Sequence, residues 1–133
     1  MLSSTFVDEL GYLRLKLPEV KIVDIAKKDY IRKVLNAYRP TPGTTGAVRR
    51  NDRLLAAALY DRGVSATAVE NALVLAASRR IFRPPDAVPL QPIRSLHYVL
   101  PVIDEVLQLR ISQDYFRYLQ FHIDRVRQKN TTS

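Results

Sequence analysis

Two helical patterns that meet at a glycine constrain the fold of this chain more than any other feature. Residues 54–83 read LLAAALYDRGVSATAVENALVLAASRRIFR, with apolar side chains at helical spacing on both sides of Gly63. A glycine accepts the positive φ at which many helices end, and Ser65 or Thr67 is placed to cap the helix that follows. Two short helices joined in this way form the frame of a helix-turn-helix, which many DNA-binding proteins use. We therefore predict a central helical hairpin at residues 48–82.

The spacing of apolar residues predicts further helices on both sides of this hairpin. Apolar residues recur at helical spacing over residues 27–39, from residue 93 onward and again after Ser112. Pro101 interrupts the second of these runs, which predicts either a kink or a short helix followed by a longer one. Residues 83–92, RPPDAVPLQP, cannot be helical because proline fixes φ and lacks the N–H donor. The expected fold class is mainly α, a compact bundle of about five or six helices.

Residues 1–26 are predicted to form a separate N-terminal arm or a small β-hairpin. Residues 13–17 alternate between apolar and charged side chains, as do residues 20–22, with a proline between the two runs. Alternation of this kind is typical of a half-buried strand, although an isolated two-stranded ribbon is only marginally stable. The helical domain is expected to cover residues 27–128, followed by a frayed tail at residues 129–133.

The charge of the chain points to polyanionic partners. Its 133 residues carry a net charge of +8, and the isoelectric point is near 10.0. A surplus of this size favours DNA, RNA or an anionic membrane surface as a partner, while the alternative is that the charge only keeps the protein dispersed. No apolar run approaches the roughly 20 residues that span a bilayer, and the N-terminus has no signal-peptide pattern. We therefore expect a cytoplasmic protein with no membrane partner.

Enzymatic chemistry finds little support in the sequence. The chain has no cysteine, and its two histidines, His97 and His122, lie in separate predicted helices. No group of acidic residues has the spacing of metal ligands, and no glycine-rich phosphate loop is present. We therefore predict that the protein is not an enzyme and that it has no metal site and no cofactor.

Two groups of arginines flank the predicted hairpin. One group begins the first helix and the other closes the second: Arg49, Arg50 and Arg53, then Arg79, Arg80 and Arg83. Because the helices of a hairpin run in roughly opposite directions, the two groups are expected to lie near one another and to bind backbone phosphates. The alternative is that Asp52, Asp61 and Asp86 neutralise part of the set as surface ion pairs. Within the second helix, Asn71 is the residue that could read an adenine base.

A second candidate surface lies on the last predicted helix. Tyr115, Tyr118 and His122 share one face of this helix, and Arg125 lies close to that face. Such a surface could stack on single-stranded bases or contact a partner protein. The alternative is a second packing face, which is the more common role of aromatic residues at helical spacing.

Three short motifs carry a resemblance to a known family. They are Arg62-Gly63-Val64, Val69-Glu70-x-Ala72-Leu73 and Ile93-Arg94-Ser95-Leu96-x-Tyr98. Over residues 47–109 the chain resembles helical accessory proteins of replication modules carried by bacterial mobile elements, including the DnaD-like group. The resemblance implies that this region binds DNA and contacts replication partners, and it implies no catalytic residue.

These observations together predict a non-enzymatic protein that binds DNA or RNA as an accessory of a mobile-element replication or recombination system. One alternative is a protein-interaction subunit of a larger nucleoprotein complex, such as a small helical subunit of a CRISPR-type effector. Another is a small regulator that binds a protein. A protein of the first kind would hold nucleic acid alone, whereas a subunit would need its partners.

Overall fold

The computed structural model describes residues 19–132 and the side chains of residues 24–129. Over these residues the helices are α1 (Glu19–Tyr38), α2 (Arg50–Asp61), α3 (Ala66–Ile81), α4 (Leu100–Gln108) and α5 (Gln113–Thr132), and a 3₁₀ turn (Leu96–Val99) precedes α4. Within this part of the chain, β-type pairing is limited to an isolated parallel bridge between Thr44 and Ile93. The predicted mainly α bundle is confirmed.

The central helix of the bundle is α3. It packs against α1, α4, α5 and the 3₁₀ turn, and eight of its 16 residues are buried. Its alanines, including Ala72 and Ala77, allow neighbouring helices to approach closely from more than one side. Leu75 packs with Phe116 and Leu119 in a small second core beneath α5. As a result, α3 is covered along much of its length.

The helix–glycine–helix connection forms as the sequence predicts. Gly63 has a φ of 80°, and the Ser65 side chain caps α3 by accepting a hydrogen bond of 3.0 Å from the Ala68 N–H. α2 packs mainly against α1 and the 3₁₀ turn and has little contact with α3 beyond the connection. Both helices nevertheless contribute to one core, through residues such as Leu59 on α2 and Val69 on α3.

The first described helix begins earlier than the apolar pattern predicts. α1 starts at Glu19, so the expected boundary between arm and helical domain falls inside this helix. Residues 20–22, one strand of the expected hairpin, are helical, because alternation over three residues fits a helix as well as a strand. An i,i+4 ion pair between Asp24 and Lys28 supports the helix there. The other expected strand, residues 13–17, lies outside the described residues.

Prolines and a serine set the elements of the C-terminal half as predicted. Residues 82–95 contain no helix, and Pro101 stands in the first turn of α4, directly after the 3₁₀ turn. The Ser112 hydroxyl oxygen accepts a hydrogen bond of 3.3 Å from the Tyr115 N–H at the start of α5. Because no glycine or proline follows, α5 continues through the expected frayed tail as far as Thr132. None of the described helices is long and apolar enough to cross a membrane.

Candidate nucleic-acid interface

Residues 91–98 contact elements from both ends of the predicted hairpin. Two backbone hydrogen bonds fix this segment to the loop after α1, and the shorter of them, 2.7 Å, joins the Ile93 N–H to the Gly43 carbonyl. The start of α2 contacts the segment through Asp52, and the end of α3 contacts it through Arg80. The structure therefore brings the two ends of the predicted hairpin to one common segment of chain.

A buried carboxylate holds the start of α2 in place. Asp52 is 1% exposed and accepts hydrogen bonds of 2.9 Å from the N–H groups of Arg49 and Leu96. The Ser95 hydroxyl donates a third hydrogen bond, of 3.1 Å. Burial by itself would raise the pKa of Asp52, but these hydrogen bonds and the neighbouring His97 hold the pKa below its ordinary value. Asp52 is therefore an anchor between α2 and the 3₁₀ turn.

Asp52 and Asp61, two of the aspartates that were expected to neutralise the arginines, bind other groups. Asp52 points towards Ser95 and Leu96, and Asp61 binds the Lys27 ammonium of α1 at 2.9 Å. Both carboxylates are thus committed to other partners. The anchoring role of Asp52 was not predicted, although an acidic residue at the third position of a helix is a known capping signal.

We call Arg49, Arg50 and Arg53 the start cluster. All three residues are exposed, and Arg50 and Arg53 have no carboxylate partner among the residues that the structure describes. Positive charge at the start of a helix opposes the helix macrodipole, so these side chains do not stabilise α2. The start cluster therefore presents guanidinium groups to solvent with most of their N–H donors available.

We call Arg79, Arg80 and Arg83 the end cluster, and its first member is already paired. Arg79 donates two hydrogen bonds to the Glu105 carboxylate of α4, one of which is 2.9 Å long. The hydrogen bond from Arg79 lowers the pKa of Glu105, and the same contact raises the pKa of Arg79. This ion pair joins α3 to α4 and neutralises one charge of the cluster.

The other two arginines of the end cluster hold the proline loop. Arg80 donates to the Gln91 carbonyl at 2.7 Å and to the Tyr98 hydroxyl at 3.2 Å, and its guanidinium lies 5.5 Å from the centre of the Tyr98 ring. Arg83 donates to the Val88 carbonyl at 2.6 Å. Both side chains therefore supply hydrogen bonds that orient residues 84–92.

A cleft of about 370 Å³ lies beside Arg80 and Arg83. Its other walls are mainly prolines and aliphatic side chains, and none of the described carboxylates lines it. Gly43 closes one side with a φ of +94°, and a Cβ atom there would lie 2.6 Å from the Arg80 Nε atom. Only glycine combines this backbone conformation with the observed position of Arg80. Chemically, the cleft suits a small anion such as a single phosphate group.

Asn71, the predicted base-reading residue, takes part in contacts within the protein. Its side-chain amide makes two hydrogen bonds, of 3.0 Å and 3.3 Å, to the side chain of Gln113. These bonds join α3 to the start of α5. A recognition helix needs a free face along its N-terminal half. Thr67 is exposed in that half of α3, but Asn71 is held by Gln113, so this geometry gives no support to base reading by Asn71.

The candidate surface on α5 is larger than the sequence indicates. Tyr115 and Tyr118 stack with ring centres 6.3 Å apart, and His122 meets Tyr118 edge-on at 4.3 Å. Phe121 and Phe82 also contact the His122 ring, at 5.7 Å and 6.5 Å. We call these five residues the aromatic face. The Arg125 guanidinium lies 5.8 Å from the centre of the Phe121 ring.

Comparison with known proteins yields no relative. No protein-family model, curated protein or solved structure matches this chain. The resemblance to DnaD-like proteins stays a prediction that rests on the three sequence motifs. Within the described part of the chain, no three side chains of metal-ligating type come together.

Proposed function

We propose that this protein is a non-enzymatic nucleic-acid-binding accessory protein whose start cluster contacts backbone phosphates. The observation that carries the proposal is that the described residues leave the charge at the start of α2 without a carboxylate partner. Arg50 and Arg53 are exposed there, while Asp52 and Asp61 bind other partners. On a chain with a net charge of +8, a polyanion meets little competition from the protein's own carboxylates at this position.

The chemistry of the start cluster suits phosphate. One guanidinium can donate two parallel hydrogen bonds to one phosphate group, which a lysine ammonium cannot do in the same fixed geometry. Asp52 fixes the backbone from which Arg49 and Arg53 extend. Binding therefore orders mainly the arginine side chains. Contacts of this kind read the backbone and not the bases, so we expect modest sequence preference.

The end cluster has a secondary part in the proposal. Arg79 is neutralised by Glu105, whereas Arg80 and Arg83 line the cleft and use only some of their N–H donors within the protein. The cleft could hold one further phosphate of the same strand. In keeping with the DnaD-like resemblance, we place this activity in mobile-element replication or recombination in the cytoplasm, without metal or cofactor.

Fluorescence anisotropy with labelled single- and double-stranded DNA and RNA at two salt concentrations tests this proposal. We expect affinity to fall steeply with salt, because each phosphate contact releases condensed counterions. Replacing Arg50 and Arg53 together by alanine should weaken binding by about tenfold. The slope of log affinity against log salt concentration should become shallower by about two phosphate contacts.

The matched control is the double variant Lys28→Ala with Arg32→Ala on α1. It removes the same charge, and both residues are exposed and engaged only in local pairs. If this control weakens binding as much as the start-cluster variant, the start cluster is not the site. Absence of binding to every nucleic acid at low salt would overturn the proposed function itself.

A further inference from the structure

The aromatic face exposes several aromatic side chains together, on α5 and at the end of α3. Tyr115, Tyr118, Phe121 and Phe82 are each between 45% and 57% exposed. The side of α5 that packs on the bundle is a different one, formed by Phe116, Leu119 and Ile123, which are buried. The aromatic face therefore does not serve core packing, and contiguous exposed apolar surface of this kind marks interaction sites.

Contacts among the rings hold the aromatic face together. His122 lies at its centre and touches Tyr118, Phe121 and Phe82, while Tyr115 stacks on Tyr118 at an interplanar angle of 25°. These contacts restrict the rotamers of half-exposed rings before any partner binds. A partner that stacks on them consequently loses less free energy to side-chain ordering.

The charged side chains next to the aromatic face indicate whether its partner is positively or negatively charged. The Arg125 guanidinium lies over the Phe121 ring and adds a cation at the edge of the face. Two neighbouring carboxylates are already paired, Asp114 with Arg117 and Glu105 with Arg79, whereas Asp124 accepts a hydrogen bond from the neutral Gln120 amide. A polyanion with flat apolar groups matches both the rings and Arg125, whereas the net charge of +8 opposes a second copy of the same chain.

We infer that the aromatic face binds the unstacked bases of single-stranded nucleic acid. This inference rests on the proposed function, which supplies phosphate contacts elsewhere on the protein, and it adds a preference for single strands over duplex. Bases of a duplex are stacked on one another, whereas those of a single strand can stack on aromatic side chains. DNA and RNA share this chemistry, and the test includes both.

The test separates bases from phosphates. The probes are a thymine or uracil oligonucleotide of about 15 nucleotides and an abasic oligonucleotide of the same length, which carries the same phosphates without bases. We expect the wild-type protein to bind the base-bearing strand about tenfold more tightly than the abasic strand. The variant Tyr118→Ala with Phe121→Ala should bind both strands equally.

Two controls keep the test specific. The variant Tyr118→Phe with Phe121→Tyr retains both rings and should retain the preference for bases. Circular dichroism should confirm that both variants fold, which is expected because the substituted side chains are half exposed.

Each remaining outcome decides the inference. Equal wild-type affinity for the base-bearing and abasic strands overturns it while leaving the proposed function intact, because phosphate binding would persist. Absence of binding to either strand overturns both. A wild-type dimer in light scattering that the alanine variant loses, without any preference for bases, would assign the aromatic face to a second copy of the chain and overturn the inference.

Discussion

The start cluster and the end cluster have the same sequence spacing, Arg-Arg-x-x-Arg, and different surroundings in the fold. The start cluster stands at the beginning of α2, where Asp52 turns inward and leaves Arg50 and Arg53 without a carboxylate partner in the described part of the chain. In the end cluster, Arg79 binds Glu105, and the other two arginines bind carbonyl groups.

The chain that follows each cluster explains the difference. After the start cluster comes a helix, whose backbone groups bind one another. After the end cluster comes RPPDAVPLQP, in which the prolines lack N–H groups and the carbonyls have no helical partners. Arg80 and Arg83 supply donors to Gln91 and Val88 of this loop. The same motif therefore binds phosphate in our proposal where it begins α2, whereas it mainly stabilises the fold where it ends α3.

The strongest destabilisation is expected at Asp52, the anchor of the start cluster. Replacing Asp52 by asparagine should lower the free energy of unfolding by about 3 kcal/mol. The neutral amide cannot replace the charge-assisted hydrogen bonds that the buried carboxylate accepts from Leu96, Ser95 and Arg49. Urea denaturation measures this change. The control is Asp61→Asn, which removes only an exposed pair and should lower it by less than about 1 kcal/mol. Equal effects would show that Asp52 is not an anchor.

The stabilisation by Asp52 should also depend on pH. A carboxyl whose pKa is lowered in the folded protein stabilises the fold above its ordinary pKa, and this contribution is lost as the pH falls through the lowered value. The difference in unfolding free energy between wild type and Asp52→Asn should therefore be full near neutral pH and shrink below about pH 4. Urea midpoints across this range measure it. A difference that does not vary with pH would contradict the lowered pKa.

The elements that local chemistry determines could be predicted from the sequence. Gly63, Ser65, Pro101 and Ser112 set turns and caps through their own backbone and side-chain chemistry, and each is found in the predicted role. The aromatic residues of α5 could also be grouped by helical spacing. Such predictions need no knowledge of distant parts of the chain.

Long-range partners could not be predicted in this way. Asp52 binds Leu96 and Ser95, which lie 44 and 43 residues away in the sequence. Arg79 binds Glu105, which lies 26 residues away. Charge patterning identifies an arginine cluster, but tertiary packing decides which of its members meet a carboxylate. The addition of Phe82 to the aromatic face likewise depends on how α3 packs against α5.

A smaller effect tests whether the end cluster acts through geometry or through charge. Arg80→Lys keeps the charge but cannot reach the Gln91 carbonyl and the Tyr98 hydroxyl together. It should lower the free energy of unfolding by about 1.5 kcal/mol, close to the effect of Arg80→Ala. The matched change Arg53→Lys should have almost no effect. Thermal or urea unfolding of all three variants is the measurement, and full stability of Arg80→Lys would contradict the structural role of Arg80.

The smallest effect has the opposite sign and bears most directly on function. Because cations at a helix start oppose the macrodipole, replacing Arg50 and Arg53 by alanine should raise the free energy of unfolding by about 0.5 kcal/mol. The same variant is expected to bind nucleic acid less tightly. A gain in stability combined with a loss of binding is typical of residues that act at a binding site, where function rather than folding sets the side chain. If the double variant is instead less stable than wild type, the start cluster contributes to the fold as the end cluster does, and the contrast between the two clusters fails.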